Sequence, residues 1–216
     1  MKKAPTFKLT PDVMLAAYAQ GIFPMAESRD SADLHWIEPR LRGIFELDRF
    51  HLSRSLSHRI RTGRFEITIN RAFMSVVEAC AARPETWINA PLLAVYDALH
   101  RIGRAHSLEV WVDGELIGGV YGLSIGRAFM GESMFSRRTD GSKVALTYLV
   151  HRLRRAGFLL FDTQFLTPHL ASLGATEIRQ AIYKRRLADA ITEDADFTLP
   201  GTPTPQELIQ DMAQIS

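Results

Sequence analysis

The chain has 216 residues, 46% of them apolar, with 26 Lys and Arg against 24 Asp and Glu and one cysteine. That length suits one large domain or a domain with a small appendage, and a single cysteine excludes both an intramolecular disulfide framework and a thiolate zinc site. No apolar run of roughly 18 residues is present to span a membrane, and the start, MKKAPTFKLTPD, is too polar and proline-broken for a secretory signal, so a soluble, cytoplasmic protein is expected. The charge is uneven: residues 189–216 hold six acids and no Lys or Arg, which leaves 26 basic against 18 acidic residues in 1–188. Residues 40–64 alone hold seven arginines. A basic body suits a polyanionic partner, although an arginine-rich helix face is also the ordinary look of a solvated one.

From the N-terminus, TPDVMLAAYAQGIF predicts a short helix with Thr10 as cap, Pro11 in its first position and Gly21 as stop. A polar stretch, Glu27 to Asp33, follows. GIFEL and FEITIN read as strands around HLSRSLSHRIRTG, a basic helix or helical turn. AFMSVVEACAA and PLLAVYDALHRIG carry helical periodicity, the second stopping at Gly103. Cys80, inside the first, reads as a small core residue rather than a nucleophile. The period then changes to two. HSLEVWVDGELIGGVYGLSIGRAFMGESMF alternates like two or three antiparallel strands, with Asp113-Gly114 as one hairpin turn and a second near Ser124 to Gly126. Gly118, Gly119, Gly122 and Gly131 inside it predict bulges or the close approach of a ligand or another backbone. SKVALTYLVHRLRRAG predicts a helix with Val144, Leu146, Leu149, Val150 and Leu153 inward, its arginines outward and Gly157 at its end. FLLFDTQF is a short strand, and LPGTPTPQ is a loop into a tail helix. The class predicted is α+β, a central and mostly antiparallel sheet flanked by helices.

Three segments carry candidate chemistry. Glu132 is a lone carboxylate in the apolar, glycine-flanked run FMGESMF, and such a group is costly to bury unless it is paired or lines a site. The RRTDGSK loop after it leads into a helix start. It is either an anion site built on free helical N–H groups or a cap by Ser142 or Asp140, with Arg137 and Arg138 solvated. Asp162 and Gln164 lie two apart on a strand and so share a face, where they either orient a nucleophile and take its proton or cap neighbouring backbone. The histidines show no metal-ligand spacing, and no metal is assigned.

Long blocks in co-linear order resemble the bacterial leucyl/phenylalanyl-tRNA–protein transferases. They are AAYAQGIFPM, HWIEPRLRGIFELDRFHLSRSL, TWI, AHSLEVW, GGVYGLSIG, GESMFS, SKVAL and HLASLGATEI. The resemblance implies a small N-terminal domain (1–45), a domain like the GCN5-type N-acetyltransferases (46–198) and, after it, the acidic tail (199–216). It implies transfer of Leu or Phe, less readily Met, from charged tRNA to the α-amine of proteins starting with Arg or Lys, which marks them for degradation. No cofactor is implied, and the Arg-x-x-Gly-x-Gly stretch of a CoA site is missing. By the same resemblance Asp162 and Gln164 are catalytic, with Asp162 orienting Gln164. Glu132 would hold the polar part of the substrates. Trp87, Tyr96, Phe129, Gly131, Met134, Phe161 and Met25 would form the aminoacyl pocket, Met25 standing where many relatives carry Trp. Arg42, Arg54, Arg137, Arg138 and Lys143 would meet tRNA, and a monomer is expected. From the residues alone, a non-catalytic tRNA-binding module and a CoA-dependent acetyltransferase stay open as alternatives.

Overall fold

The computed structural model describes residues 9–31 and 33–214. The first eight residues of the expected N-terminal unit and the last two of the tail lie outside the described residues. Helix α1, Pro11–Tyr18, starts as its sequence dictates: the Thr10 side chain accepts the Val13 N–H, Pro11 fills the first position, and Gly21 turns the chain at φ +83°. Strands β1, Phe23–Ala26, and β2, Leu34–Ile37, pair antiparallel as a separate two-stranded sheet. The polar stretch Glu27 to Asp33 is the loop between them, and the strands themselves were not predicted, because strands of four residues, one of them with a proline, leave almost no alternation to detect.

The main sheet has seven strands. They are β3 Leu41–Phe45, β4 Glu66–Ile69, β5 Ala105–Val112, β6 Glu115–Ile125, β7 Ala128–Ser136, β8 Leu160–Gln164 and β9 Ala175–Arg179. Their order is β4-β5-β6-β7-β8-β3-β9, antiparallel throughout except for β7 with β8. Asp113 and Gly114, both at positive φ, make the tight β5–β6 turn that their sequence signals. The one parallel pair is joined by helix α5, Gly141–Arg155, since a parallel connection needs a crossover. The registered pairing of β7 with β8 runs only over Ala128–Met130 and Leu160–Asp162. Beyond it β7 continues through Gly131 to Ser136 while β8 turns away, and Glu132 and Gln164 stand on the two sides of this divergence.

Helices cover both faces. On one, α1 packs with α3, Phe73–Ala81, α4, Ala90–Arg101, and α7, Gln180–Ala190, around Met14, Val76, Val77, Leu92, Val95 and Leu187. On the other, α5 packs with α2, Arg54–Thr62, and α8, Pro205–Ala213, around Leu56, Ile60, Leu149, Leu153, Leu208 and Met212. Helix α6, Pro168–Ala171, is one turn after β8. Cys80 is core, and burial pushes its thiol up to about 12. Gly118 marks a true close approach, since a Cβ there would lie 2.5 Å from the carbonyl carbon of Gly141, the first residue of α5.

Strand β3 is hydrogen-bonded between β8 and β9, and Met14, Tyr18 and Phe23 share a core with α3 and α4. The tail helix expected after the LPGTPTPQ loop is α8, and its Leu208 and Met212 are fully buried. One expectation needs correction. Not all arginines of α5 face outward: Arg152 is buried, donates to the Phe197 carbonyl at 2.9 Å and lies over that ring.

Candidate active site

Glu132 answers for its own burial with three donors. Tyr18 of α1 donates its hydroxyl to Oε1 at 2.7 Å, Tyr96 of α4 donates to Oε2 at 2.7 Å, and Gln164 of β8 donates its amide N–H to Oε1 at 3.1 Å. Burial pushes the carboxyl up to about 7, against the opposing pull of these three hydrogen bonds, and the charge of Asp162 adds to the rise. Tyr18 and Tyr96 are held well above their ordinary range, by burial first and then by Glu132, so both remain donors. Oε1 has both acceptor places filled, whereas Oε2 has one left among the described residues.

Asp162, with no exposed surface, is saturated. Oδ1 accepts from Arg42 Nε and from the backbone N–H of Gln164, each at 2.8 Å; Oδ2 accepts from Arg42 Nη2 at 2.6 Å and from the Tyr183 hydroxyl at 2.8 Å. All four acceptor places of the carboxylate are used, so none is left for a substrate proton. Arg42 is sandwiched between the rings of Phe23 and Tyr183 at 4.6 and 4.5 Å and donates to the Gly21 carbonyl. Burial pulls the guanidinium down, but Asp162 outweighs it, so the pair is a fixed, charged clamp.

The clamp holds an unusual backbone. Gln164 sits at φ +64°, and β3 meets β8 with Gly43 opposite Gln164 but Ile44 opposite Asp162, so Thr163 is an extra, bulged residue. Gly43 is required there, because a Cβ would lie 2.7 Å from both Thr163 Oγ1 and the Phe165 carbonyl carbon. The bulge and the Asp162 bond to the Gln164 N–H turn the Gln164 side chain toward Glu132, and its amide oxygen has no donor among the described residues. Asp162 and Gln164 therefore work together through backbone geometry, not as neighbours on one face of a regular strand.

Beside Glu132 lies a cavity of about 80 Å³, walled by Val120, Met134, Leu146, Phe161 and Leu170, with Gly131, Ser133 and Thr163 completing it. Met134 also forms part of a wider cleft of about 620 Å³ that carries Arg83, Arg137, Ser142 and His169.

The family model described as leucyl/phenylalanyl-tRNA protein transferase matches residues 44–188, and that of its N-terminal domain matches residues 7–40. The chain belongs to this family. It is 58% identical to the leucyl/phenylalanyl-tRNA–protein transferase of Cereibacter sphaeroides over 96% of this chain and 98% of that one, and 56% identical to that of a Ruegeria species over 96% and 99%. Among solved structures, FemX aligns over 81% of this chain and 70% of that one at 13% identity and a TM-score of 0.44. The enzyme is an aminoacyltransferase of the tRNA-dependent, protein-modifying kind.

Of the residues singled out from sequence, Glu132, Gly131, Met134 and Phe161 border the apolar cavity, while Gln164 is joined to it through Glu132 and Asp162 holds the Gln164 backbone. Tyr96 is at the site as a donor to Glu132 and not as a cavity wall. Phe129 is a correction: it stacks with Phe197 and meets Phe158 and Phe161 edge-on, inside the core shared with α5. Met25 and Trp87 are half-buried against the other core and do not line the cavity. Arg42 is the larger correction. At 1% exposure and paired with Asp162, it cannot reach a tRNA phosphate. Arg138 pairs with Glu115 and Lys143 with Asp140, while Arg54 is exposed at the start of α2. Tyr18, Tyr183, Val120, Leu146 and Leu170 were missed as site residues. Tyr18 lies 114 residues from Glu132, and no local pattern reports such a partner.

Proposed function

We propose that the enzyme moves leucine or phenylalanine, and methionine less readily, from charged tRNA to the N-terminal α-amine of proteins that begin with Arg or Lys. The product, with a new apolar N-terminus, is thereby marked for proteolysis in the cytoplasm. The observation that carries this reading is the juxtaposition of Glu132 and Gln164 with a cavity whose walls are apolar.

The donor is an activated ester, so no cofactor is needed, and an α-amine with a pKa of about 7.7–8.0 is partly neutral at working pH. Its nitrogen attacks the ester carbonyl, the bond from the carbonyl carbon to the ribose oxygen breaks, and one proton passes from the amine to that oxygen. The Gln164 amide oxygen accepts a hydrogen bond from the attacking N–H and aligns it. Asp162, already saturated, acts as a positioning residue through the Gln164 backbone. The open acceptor place on Glu132 Oε2 receives an ammonium or amine N–H of a bound substrate, and a carboxyl near 7 exchanges protons in the range where the acceptor does. Holding both substrates in register supplies up to roughly 7–11 kcal/mol of the barrier.

Selection follows from the walls. Burying a Leu or Phe side chain contributes roughly 1.5–3 kcal/mol, and one methylene changes this by about 1–3 kcal/mol, so preference is real but leaky. The test is mass spectrometry of peptides beginning with Arg, Lys or Asp, incubated with tRNAs charged with Leu, Phe, Met or Val. Addition of one Leu or Phe to the Arg and Lys peptides, with Met weaker, is expected. Preferential use of the Asp peptide, or of valyl-tRNA, would overturn the assignment of substrates. No helix among the described residues is long and apolar enough to cross a membrane, and the enzyme is taken to act as a monomer.

A further inference from the structure

The 620 Å³ cleft next to the apolar cavity has a charge pattern that the aminoacyl chemistry does not use. Its charged lining residues are Arg83, at the end of α3, and Arg137, after β7, with His169 beside them and no carboxylate. Neither guanidinium is in an ion pair among the described residues, whereas Arg138 and Lys143 nearby are neutralised by Glu115 and Asp140. Each is anchored by one N–H to a backbone carbonyl: Arg83 to Met134, and Arg137 to Leu116 at 3.1 Å, with its guanidinium carbon 5.4 Å from the centre of the Phe135 ring. Anchored forks with unused N–H donors are arranged for a phosphate before it arrives.

We propose that this cleft seats the 3′-terminal phosphates of the charged tRNA, with Arg83 and Arg137 as the clamp, a reading that rests on the tRNA-dependent activity proposed above. Met134 is wall to both spaces, so a donor with its aminoacyl side chain beside Val120 and Leu146 runs its ribose and phosphates past Met134 into the cleft. The cleft also sorts the two substrates. An acceptor beginning with Arg or Lys is cationic and repelled from two unpaired guanidinia, so it must approach the ester from the other side, where Gln164 stands.

The test uses the full chain and the double variant Arg83→Gln, Arg137→Gln, both side chains being exposed. Transfer is measured from leucyl-tRNA and from leucyl-adenosine, which lacks the phosphates. Binding of an uncharged single-stranded RNA ending in CCA is followed by fluorescence anisotropy. The rise in KM should be greater for leucyl-tRNA than for leucyl-adenosine by about tenfold or more, RNA binding should weaken, and its logarithmic salt slope should shrink by about 1.4. Equal rises for both donors, or RNA binding that the variant keeps, would overturn the clamp. If the wild-type chain uses neither donor, the transferase reading falls, and the binding arm alone then decides the cleft.

Discussion

Glu132 pairs a carboxyl lifted to about 7 with three donors, and its sign has consequences for stability. A carboxyl whose folded pKa lies above its ordinary 4.5 favours folding most fully below 4.5 and loses that contribution as pH rises through 7. The loss is on the order of 3 kcal/mol. Glu132→Gln, which cannot ionise, should therefore narrow the gap in Tm between pH 5 and pH 8.5, whereas an unchanged gap would mean that Glu132 titrates normally. Arg42 makes the opposite kind of prediction. Arg42→Ala leaves Asp162 buried and unpaired, a loss of about 3–5 kcal/mol in urea unfolding; a normally stable variant with a salt-dependent tRNA defect would restore its reading as a surface contact. Both charges were open to the same reasoning from sequence. Glu132 stood out as the one acid of an apolar run, while Arg42 was counted with its basic neighbours although it stands mid-strand among Leu41, Ile44 and Phe45. Their partners, Tyr18, Tyr96, Tyr183 and Asp162, come from elements that only the tertiary fold brings together.

The bulge between β3 and β8 is the element that makes the site. Alternation along FDTQ puts Asp162 and Gln164 on one face of a regular strand, whereas a bulge shifts the register and hands Gln164 a left-handed backbone that alternation cannot foresee. Gln164→Ala and Gln164→Gly both remove the amide, but only glycine is relaxed at φ +64°. Chemical denaturation should find the Gly variant more stable than the Ala variant by roughly 1 kcal/mol; equal stabilities would show that no strain is stored there. The helices were legible because their caps and periods are local: Thr10, Gly103 and Gly157 sit where sequence places them. Strand β9 and helix α7 went unread, since an edge strand with exposed Thr176 and Glu177 carries too little apolar alternation.

At the scale of the molecule, two helical layers press on a sheet whose parallel pair opens just where Glu132 and Gln164 stand, so the site depends on elements from both ends of the chain. The acidic tail belongs to this body: α8 inserts Leu208 and Met212 beside α2 and α5, and Asp211 meets His151 at 3.0 Å. Removing residues 199–216 should cost roughly 3–6 kcal/mol from those two side chains, read as a lower urea midpoint; an unshifted midpoint would mean that α8 contributes nothing to the fold. The most direct test of the active site is single-turnover transfer of labelled leucine from saturating leucyl-tRNA to an Arg-initiated peptide, with wild type beside Gln164→Ala. Transfer by the wild type that falls by about 10² or more in the variant is the predicted result. A variant that turns over as fast as the wild type, or a folded wild type that transfers nothing, would contradict the account.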